Sequence, residues 1–183
     1  MTFPLVRRVR RGDTIEALYG AIVAQARCPV FYADYGVPDT VEARFDMIVL
    51  HVALLFRRMR DSGSSRALGQ AVFDRFCKDM EHNLREMGVA DLTIPKSMRR
   101  IGEAFYGRAA AYDEALASPS DEALVAALSR NIFVGANAAR PQRLAAYVRT
   151  AAAELARKPD PTFAVGQVSW PDPAAPAAGA GRM

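Results

Sequence analysis

Hydrophobic and polar positions follow helical spacing along most of the chain. Apolar residues recur at intervals of three and four residues from about residue 13 to residue 157, which is the period of an amphipathic α-helix. No run of residues alternates between apolar and polar for long enough to indicate a sheet, and no internal repeat is present. The pattern therefore predicts an all-α fold, a single globular bundle of about six helices.

Capping residues, glycines and prolines set the predicted helix boundaries. An Asp-x-x-Glu pattern begins the first helix at Asp13, and the same pattern begins the second helix at Asp39. Ser118 is predicted to cap the fifth helix, with Pro119 at its first position. The remaining predicted bounds are about Arg27 for the end of the first helix, about 66–87 for the third, near Pro95 for the start of the fourth and about 138–157 for the sixth.

The connection between the first two helices is rich in aromatic residues. It reads CPVFYADYGVPD, residues 28–39, and its prolines and glycine indicate a long connecting segment. Phe31, Tyr32 and Tyr35 are too apolar for a solvated loop. We therefore expect these three aromatic side chains to cover one end of the core.

The two ends of the chain differ from the predicted helical domain, residues 13–158. Residues 1–12 form a predicted basic arm that would meet an anionic membrane surface, a plain solvated tail being the alternative. Its arginines are Arg7, Arg8, Arg10 and Arg11. Residues 159–183 are rich in Pro, Gly and Ala and are predicted to be an extended tail, disordered from residue 173. The apolar residues spaced along that tail, Phe163, Val165, Val168 and Trp170, are expected to dock on the body.

Composition and charge are those of a globular protein with a mild basic bias. Of the 183 residues, 51% are hydrophobic and 24% are charged, which is ordinary for a folded domain. The formal net charge of +4 favours anionic partners, namely acidic lipid, RNA or ribosome, or an acidic protein face, without selecting among them. The longest apolar run, residues 47–56, has about half the length of a transmembrane helix and indicates a buried core helix.

The residues needed for catalysis or metal binding are largely missing. The chain has no glycine-rich phosphate loop, no nucleophile elbow and no metalloprotease motif, and it contains two histidines. His51 lies within an apolar helix, where a packed and hydrogen-bonded histidine is the favoured interpretation and a ligand is the alternative. Asp79, His82 and Glu86 have helical spacing but lie on a charged helix face. We predict no catalytic residue, no cofactor and no metal.

The cysteines add no site of their own. Cys28 and Cys77 have neither disulfide-framework nor zinc-site spacing, and no secretory signal is evident. Both are therefore predicted to be reduced thiols. The predicted location is the cytoplasm, with peripheral attachment to the inner membrane as a further expectation.

The fourth predicted helix combines a packing side with a polar side. Gly102 and Gly107 each cost about 1 kcal/mol relative to Ala within a helix, which predicts close approach by a neighbouring element. Tyr112 lies on the predicted inner stripe. The residues off that stripe are Arg99, Arg100, Tyr106 and Arg108, and Tyr and Arg are favoured in protein interfaces.

Three motifs carry a resemblance to a known family. They are FYADYGVPDT at residues 31–40, DRFCKDMEHNLREMGVADLTIPKSM at 74–98 and AFYGRAAAY at 104–112. Together they resemble the ubiquinol–cytochrome c chaperone family, and the resemblance extends over about residues 13–155. The chain is similar to a bacterial, cytoplasmic-side member of that family.

The resemblance implies a non-enzymatic function. Members of the family are assembly factors for the cytochrome bc complex, complex III. Mitochondrial members bind newly made cytochrome b, together with a small partner protein, near the ribosomal exit. The expected partners here are accordingly cytochrome b, with a small partner protein, the ribosome and an anionic membrane as further candidates, and no specific DNA.

We expect a client to meet an apolar groove with a polar rim. The predicted client or partner contacts are Phe31, Tyr32, Tyr35, Asp79, Arg85, Glu86, Arg99, Arg100, Tyr106, Arg108 and Tyr112. Two other functions stay open from the residues alone. One is an RNA- or ribosome-associated binding module, and the other is a small haem-handling protein that uses His51 or Cys28.

Overall fold

Helices make up the regular structure of the protein. The computed structural model describes residues 10–60, 62–134, 136 and 140–175, and within them it contains eight α-helices, one short 3₁₀ helix at Asp91–Thr93, and no strand. The α-helices are α1 Arg11–Ala26, α2 Pro29–Ala33, α3 Val41–Arg60, α4 Arg66–Glu86, α5 Ile94–Ala117, α6 Glu122–Asn131, α7 Pro141–Arg157 and α8 Asp160–Ala164. The predicted all-α bundle is confirmed, with six longer helices and two short ones.

Helix α3 forms the centre of the bundle. Every residue from Asp46 to Leu55 is buried, and the helix packs against α1, α4, α5 and α7. This all-round burial explains why the run at residues 47–56 is apolar without a polar face. None of the helices in the described part of the chain has the length and apolar character needed to cross a membrane.

The aromatic connection contains a short helix that the sequence did not predict. Pro29 occupies the first turn of α2, where its fixed φ suits a helix and its missing N–H costs nothing. Phe31 is fully buried and Tyr35 is 4% exposed, so both cover one end of the core as expected. Their rings meet edge to face at 5.3 Å.

The predicted start of α6 at Ser118 and Pro119 is wrong. Residues 118–121 form a turn in which the Ser118 hydroxyl accepts the N–H of Ser120 at 3.2 Å. Arg149 holds this turn by donating to the carbonyls of Ser118 and Ser120 at 2.9 and 2.7 Å. The helix therefore begins later, at Glu122, with Asp121 at its N-cap position.

The glycines of α5 do not mark a close helix contact, which corrects the prediction for Gly102 and Gly107. A Cβ atom added at either position would meet nothing within 4 Å. The tight approach lies at Gly69 of α4, where an added Cβ would stand 3.0 Å from the Cβ of Met59 on α3. A side chain at this crossing would require Met59 to shift by a few tenths of an ångström, so glycine allows the closest approach of the two helices.

The folded body does not end at residue 158, and this corrects the predicted extended tail. Helix α8 buries Phe163 completely, and Thr14 of α1 donates a hydrogen bond to the Ala164 carbonyl at 3.3 Å. Gly166 then turns the chain with a φ of +78°, a conformation that favours glycine. A Cβ atom added at Gly166 would lie 3.1 Å from the Cβ of Ala17. The part of the predicted disordered stretch at residues 176–183 lies outside the described residues.

Residues 165–175, which we call the C-terminal segment, continue across α1 and the aromatic end of the core. Gln25 donates to the Pro171 carbonyl at 3.1 Å, and the Tyr35 hydroxyl donates to the Pro173 carbonyl at 2.9 Å. Trp170 lies edge-on to the His51 ring at 5.0 Å. The expected docking of the apolar tail residues is therefore seen at Trp170.

Candidate functional site

An open groove with a volume of about 620 Å³ lies between α3, α4 and α5. We call it the α3–α4–α5 groove. Its apolar lining is Val41, Phe45, Ile48, Met80, Leu84, Met87 and Ile101, and its polar lining is Arg27, Glu42, Arg44, Asp46, Asn83, Glu86 and Arg108.

The groove exists because the apolar stripes of α3 and α4 extend beyond the helices that pack against them. The stripe of α3 starts at Val41, which is 71% exposed, and the stripe of α4 ends with Met87, which is 64% exposed just beyond the helix. No described element packs over these side chains. Uncovered apolar side chains with a polar rim are typical of a binding surface.

Each wall of the groove is about two helical turns long. The lining spans residues 41–48 on α3, 80–87 at the end of α4 and 101–108 on α5. Eight residues of helix rise by roughly 10 Å, so the three walls match in length. A partner helix that docks in such a groove uses side chains at i, i+3 or i+4, and i+7, which also occupy about two turns.

The groove contains a partly buried ion pair. Arg108 Nη2 lies 3.0 Å from Asp46 Oδ1, and the two side chains are 24% and 8% exposed. The angle of this contact leaves Asp46 Oδ1 without a hydrogen bond, and Arg108 Nε also has none among the described residues. Burial raises the pKa of the Asp46 carboxyl to about 6, an effect that Arg108 opposes and Glu42 reinforces.

The charges around the groove balance. Its three arginines face three acidic side chains, and two of the rim charges have partners just outside the groove. Arg44 pairs with Asp39 at 2.6 Å, and Glu86 pairs with His82 at 3.1 Å. The groove thus presents an apolar surface of no net charge, rather than a basic or acidic one.

Glu86 and Arg108 are the predicted contact residues that line the groove. Tyr32 lies beside the rim, where Arg44 stacks over its ring at 5.5 Å and its hydroxyl donates to the Ala26 carbonyl at 2.8 Å. Two other predicted residues of α4 make contacts elsewhere. Asp79 accepts a hydrogen bond from Tyr19 at 2.8 Å, and Arg85 pairs with Glu81 at 2.6 Å.

Three of the predicted contact residues are packing residues in this conformation. Phe31, Tyr35 and Tyr112 are each at most 4% exposed, so a partner has no access to their rings. Tyr112 does lie on the inner side of its helix as predicted, where its hydroxyl accepts a hydrogen bond from Asn131 at 3.3 Å. Its burial raises the pKa of the phenol to about 12.

The other predicted surface residues are exposed but separate from the groove lining. Arg99 and Arg100 are exposed near the start of α5, and Tyr106 is 52% exposed with its ring 5.5 Å from that of Phe73. Arg10 precedes α1, and Arg11 donates to the Ala67 carbonyl at 3.3 Å. The remaining residues of the predicted basic arm, Arg7 and Arg8, lie outside the described residues.

His51 is a packed histidine, as the favoured interpretation predicted. It is fully buried, with Nδ1 2.7 Å from the Met47 carbonyl and Nε2 2.9 Å from the Tyr147 hydroxyl. Burial lowers the pKa of the imidazole to about 4, so the ring is neutral at pH 7. With both ring nitrogens engaged, His51 offers no ligand to a haem iron in this conformation.

The described residues contain no group of three or more His, Cys, Asp or Glu side chains arranged to hold a metal ion. Cys28 and Cys77 are free and half-buried. Burial raises the pKa of the Cys77 thiol, which keeps it in the unreactive thiol form.

Apart from Glu86 and Arg108, the residues that line the groove were not predicted from the sequence. Asp46 did carry a signal, because it is the one acid in the run FDMIVLHVALLF at residues 45–56. Val41 and Met87 carried a weaker signal, since an apolar stripe that continues to the very end of a helix often exceeds the core that covers it. Neither signal shows which stripe ends remain open.

Comparison with known proteins identifies related chains over most of this sequence. The model of the ubiquinol-cytochrome C chaperone family matches residues 33–170, which include all three walls of the groove. The crystal structure of the Cbp3 homolog from Brucella abortus superimposes with a TM-score of 0.82 at 38% sequence identity. That match covers 89% of this chain and 91% of the other.

Curated relatives from animals are more distant. Ubiquinol-cytochrome-c reductase complex assembly factor 1 from Xenopus laevis is 30% identical over 117 residues, which make up 63% of this chain and 58% of that protein. The protein of the same name from Drosophila melanogaster is 28% identical over 172 residues, or 89% of this chain and 66% of that protein. The chain therefore spans less than two thirds of the length of either relative.

Proposed function

The chain belongs to the ubiquinol-cytochrome C chaperone family, and we propose that it binds newly made cytochrome b in the α3–α4–α5 groove. The family is one of assembly chaperones for ubiquinol–cytochrome c reductase, complex III. Binding would hold the client while the other components of that complex are added.

The observation that carries the proposal is the open apolar groove. A membrane protein that has not yet met its partners exposes helices of roughly 20 predominantly apolar residues. The groove offers walls of about two turns and apolar side chains on all three helices, which suits a short stretch of such a helix. Its balanced charges neither attract nor repel an uncharged segment.

The groove supports binding rather than catalysis. Its lining contains no serine, cysteine, histidine or lysine that would act as a nucleophile or base at neutral pH. Its one buried acid, Asp46, is paired with Arg108 at 3.0 Å. A non-enzymatic holding function is therefore the one that the geometry supports.

Complementation of a deletion strain tests the proposal. We expect that deleting the gene in its host lowers assembled complex III on native gels and cytochrome b by haem staining, while other membrane complexes persist. Wild-type protein and Val134→Glu should restore both, whereas Val41→Glu should not. The two valines are matched, since they are 71% and 72% exposed, but Val41 lines the groove and Val134 does not.

A charge at Val41 also leaves the fold intact, because an acid in the first turn of α3 is favourable. If both glutamate variants restore complex III, the groove is not the client site. If the deletion leaves complex III unchanged, the assembly function itself is wrong for this chain.

Site-specific photocrosslinking identifies the client. A photoreactive residue at Met87, in the groove, should trap pulse-labelled cytochrome b, and the same residue at Val134 should not. Equal crosslinking from both positions, or trapping of ribosomal components in place of cytochrome b, would contradict the assignment of client and site.

A further inference from the structure

We propose that Asp46 and Arg108 select an uncharged amide on the segment that occupies the α3–α4–α5 groove. The amide is the carboxamide of an Asn or Gln side chain within an otherwise apolar helix of about two turns. This inference rests on the proposed function and adds to it the polar group that the site recognises.

The pair is chemically incomplete as it stands. Among the described residues, Asp46 Oδ1 and Arg108 Nε are buried without a hydrogen bond, although Arg108 Nη2 lies 3.0 Å from Oδ1. Asp46 as a whole residue is 5% exposed. Buried polar groups without partners are unfavourable, and in folded proteins nearly all of them are satisfied.

A carboxamide meets both side chains at once through their groove-facing atoms, the second carboxylate oxygen of Asp46 and an Nη–H of Arg108. Its NH₂ group donates to a carboxylate oxygen, and its carbonyl accepts from a guanidinium N–H. Because the donor and acceptor of an amide lie side by side, they match a carboxylate and a guanidinium that are themselves 3.0 Å apart. Hydrogen bonds to charged groups are among the stronger ones in proteins.

Charge balance argues against a charged occupant. Among the groove residues, Arg27, Arg44 and Arg108 offset Glu42, Asp46 and Glu86. A lysine or a glutamate on the client would leave one unmatched charge in a desolvated site, which is costly. An aliphatic side chain would cover the pair and remove its remaining water without replacing it. The expected order of affinity is therefore amide first, aliphatic second and charged last.

Host–guest peptides test this order directly. The probe is a lysine-flanked helical peptide of about twelve residues, apolar on one face, with Asn, Leu, Lys or Glu at the central position of that face. Dissociation constants come from fluorescence anisotropy with the full chain. We expect the Asn peptide to bind about ten-fold more tightly than the Leu peptide.

Two variants connect the preference to the pair. In Arg108→Met the Asn and Leu peptides should bind within about two-fold of each other, because the guanidinium donor is gone. Asp46→Asn should weaken the preference similarly. The matched control is Asp113→Asn, an acid paired with Arg57 at 2.5 Å outside the groove, which should keep the full preference. Helical circular dichroism confirms that each variant is folded before it is used.

The outcomes separate this inference from the proposed function. Equal binding of the Asn and Leu peptides to the wild type, or an unchanged preference in Arg108→Met, overturns amide selection even if Met87 still crosslinks to cytochrome b. Tighter binding of the Lys or Glu peptide would reassign the pair to a charged ligand. Loss of the Met87 crosslink, by contrast, removes the proposed client site whichever peptide binds best.

Discussion

His51 and Asp46 lie less than two turns apart on α3, and both are buried polar residues in a largely apolar helix. Their surroundings are opposite. The fold completes the hydrogen bonds of His51, whereas Asp46 Oδ1 has no hydrogen-bond partner among the described residues.

The difference comes from what covers each side of the helix. On the His51 side, Gln25 donates to Tyr147 at 3.0 Å and to Pro171 at 3.1 Å, and Trp170 lies against the imidazole. On the Asp46 side the described chain leaves an open groove. A buried polar residue therefore suggests a binding site only after its hydrogen-bond partners have been traced.

The largest expected effect tests whether α8, which precedes the segment covering His51, is part of the core. Phe163→Ala removes a fully buried ring on which Arg58 stacks at 5.1 Å. We expect a loss of about 3–4 kcal/mol in the free energy of unfolding, measured by urea denaturation.

Val165→Ala is the control for that measurement. Val165 is 48% exposed in the same part of the chain, and its truncation should change the free energy of unfolding by less than about 0.5 kcal/mol. A loss below about 1 kcal/mol in Phe163→Ala would show that α8 is a loosely attached tail, as the sequence first suggested.

A smaller effect is expected from Tyr147→Phe, which keeps the ring and removes one hydroxyl. That hydroxyl donates to His51 Nε2 at 2.9 Å and accepts from Gln25 at 3.0 Å. Its loss leaves His51 Nε2 unpaired in a buried site and removes one of the two hydrogen bonds that Gln25 donates, so we expect a loss of about 1–3 kcal/mol in the free energy of unfolding.

Tyr106→Phe is the matched control, since the Tyr106 side chain is half-exposed and makes no hydrogen bond among the described contacts. It should change stability by less than about 0.5 kcal/mol. Equal effects of the two substitutions would mean that the hydrogen-bond network around His51 contributes little.

Much of the bundle was predictable because helix periodicity depends on local spacing. The apolar run of α3 and the packed state of His51 both follow from side chains within one helix. Tyr112 was likewise assigned to the inner side of α5, and it is 2% exposed. These features need no knowledge of which helix packs against which.

The features that were missed depend on contacts between distant segments. Gly69 lies in tight contact with Met59, whereas Gly102 and Gly107 face open space, and nothing local distinguishes the three. Similarly, the composition of residues 159–175 suggests an extended tail, yet Phe163 is fully buried. The groove was missed for the same reason, since it is formed by side chains from three helices that are distant in sequence.

The smallest net effect in the wild type concerns pH, because His51 and Asp46 should act in opposite directions. Burial lowers the pKa of His51 to about 4, below its ordinary value of about 6.5, so the unfolded state takes up the proton first and stability falls as pH drops through this range. Burial raises the pKa of Asp46 to about 6, so the folded state takes up the proton first and stability rises as pH drops from about 6 to about 4. The two contributions largely offset each other in the wild type.

Substituting each residue by its neutral counterpart should separate the two slopes. Relative to the wild type, His51→Gln should gain stability as pH falls from about 6 to about 4, because the variant lacks the destabilising contribution of His51 and keeps the stabilising contribution of Asp46. Asp46→Asn should lose stability relative to the wild type over the same interval. Urea unfolding at matched ionic strength measures both differences, and other titrating groups cancel because they are common to the proteins compared. If the stability of Asp46→Asn changes with pH in the same way as that of the wild type, the Asp46 carboxyl is better hydrated than its burial implies. The contrast between the His51 side and the groove side of α3 would then rest on His51 alone.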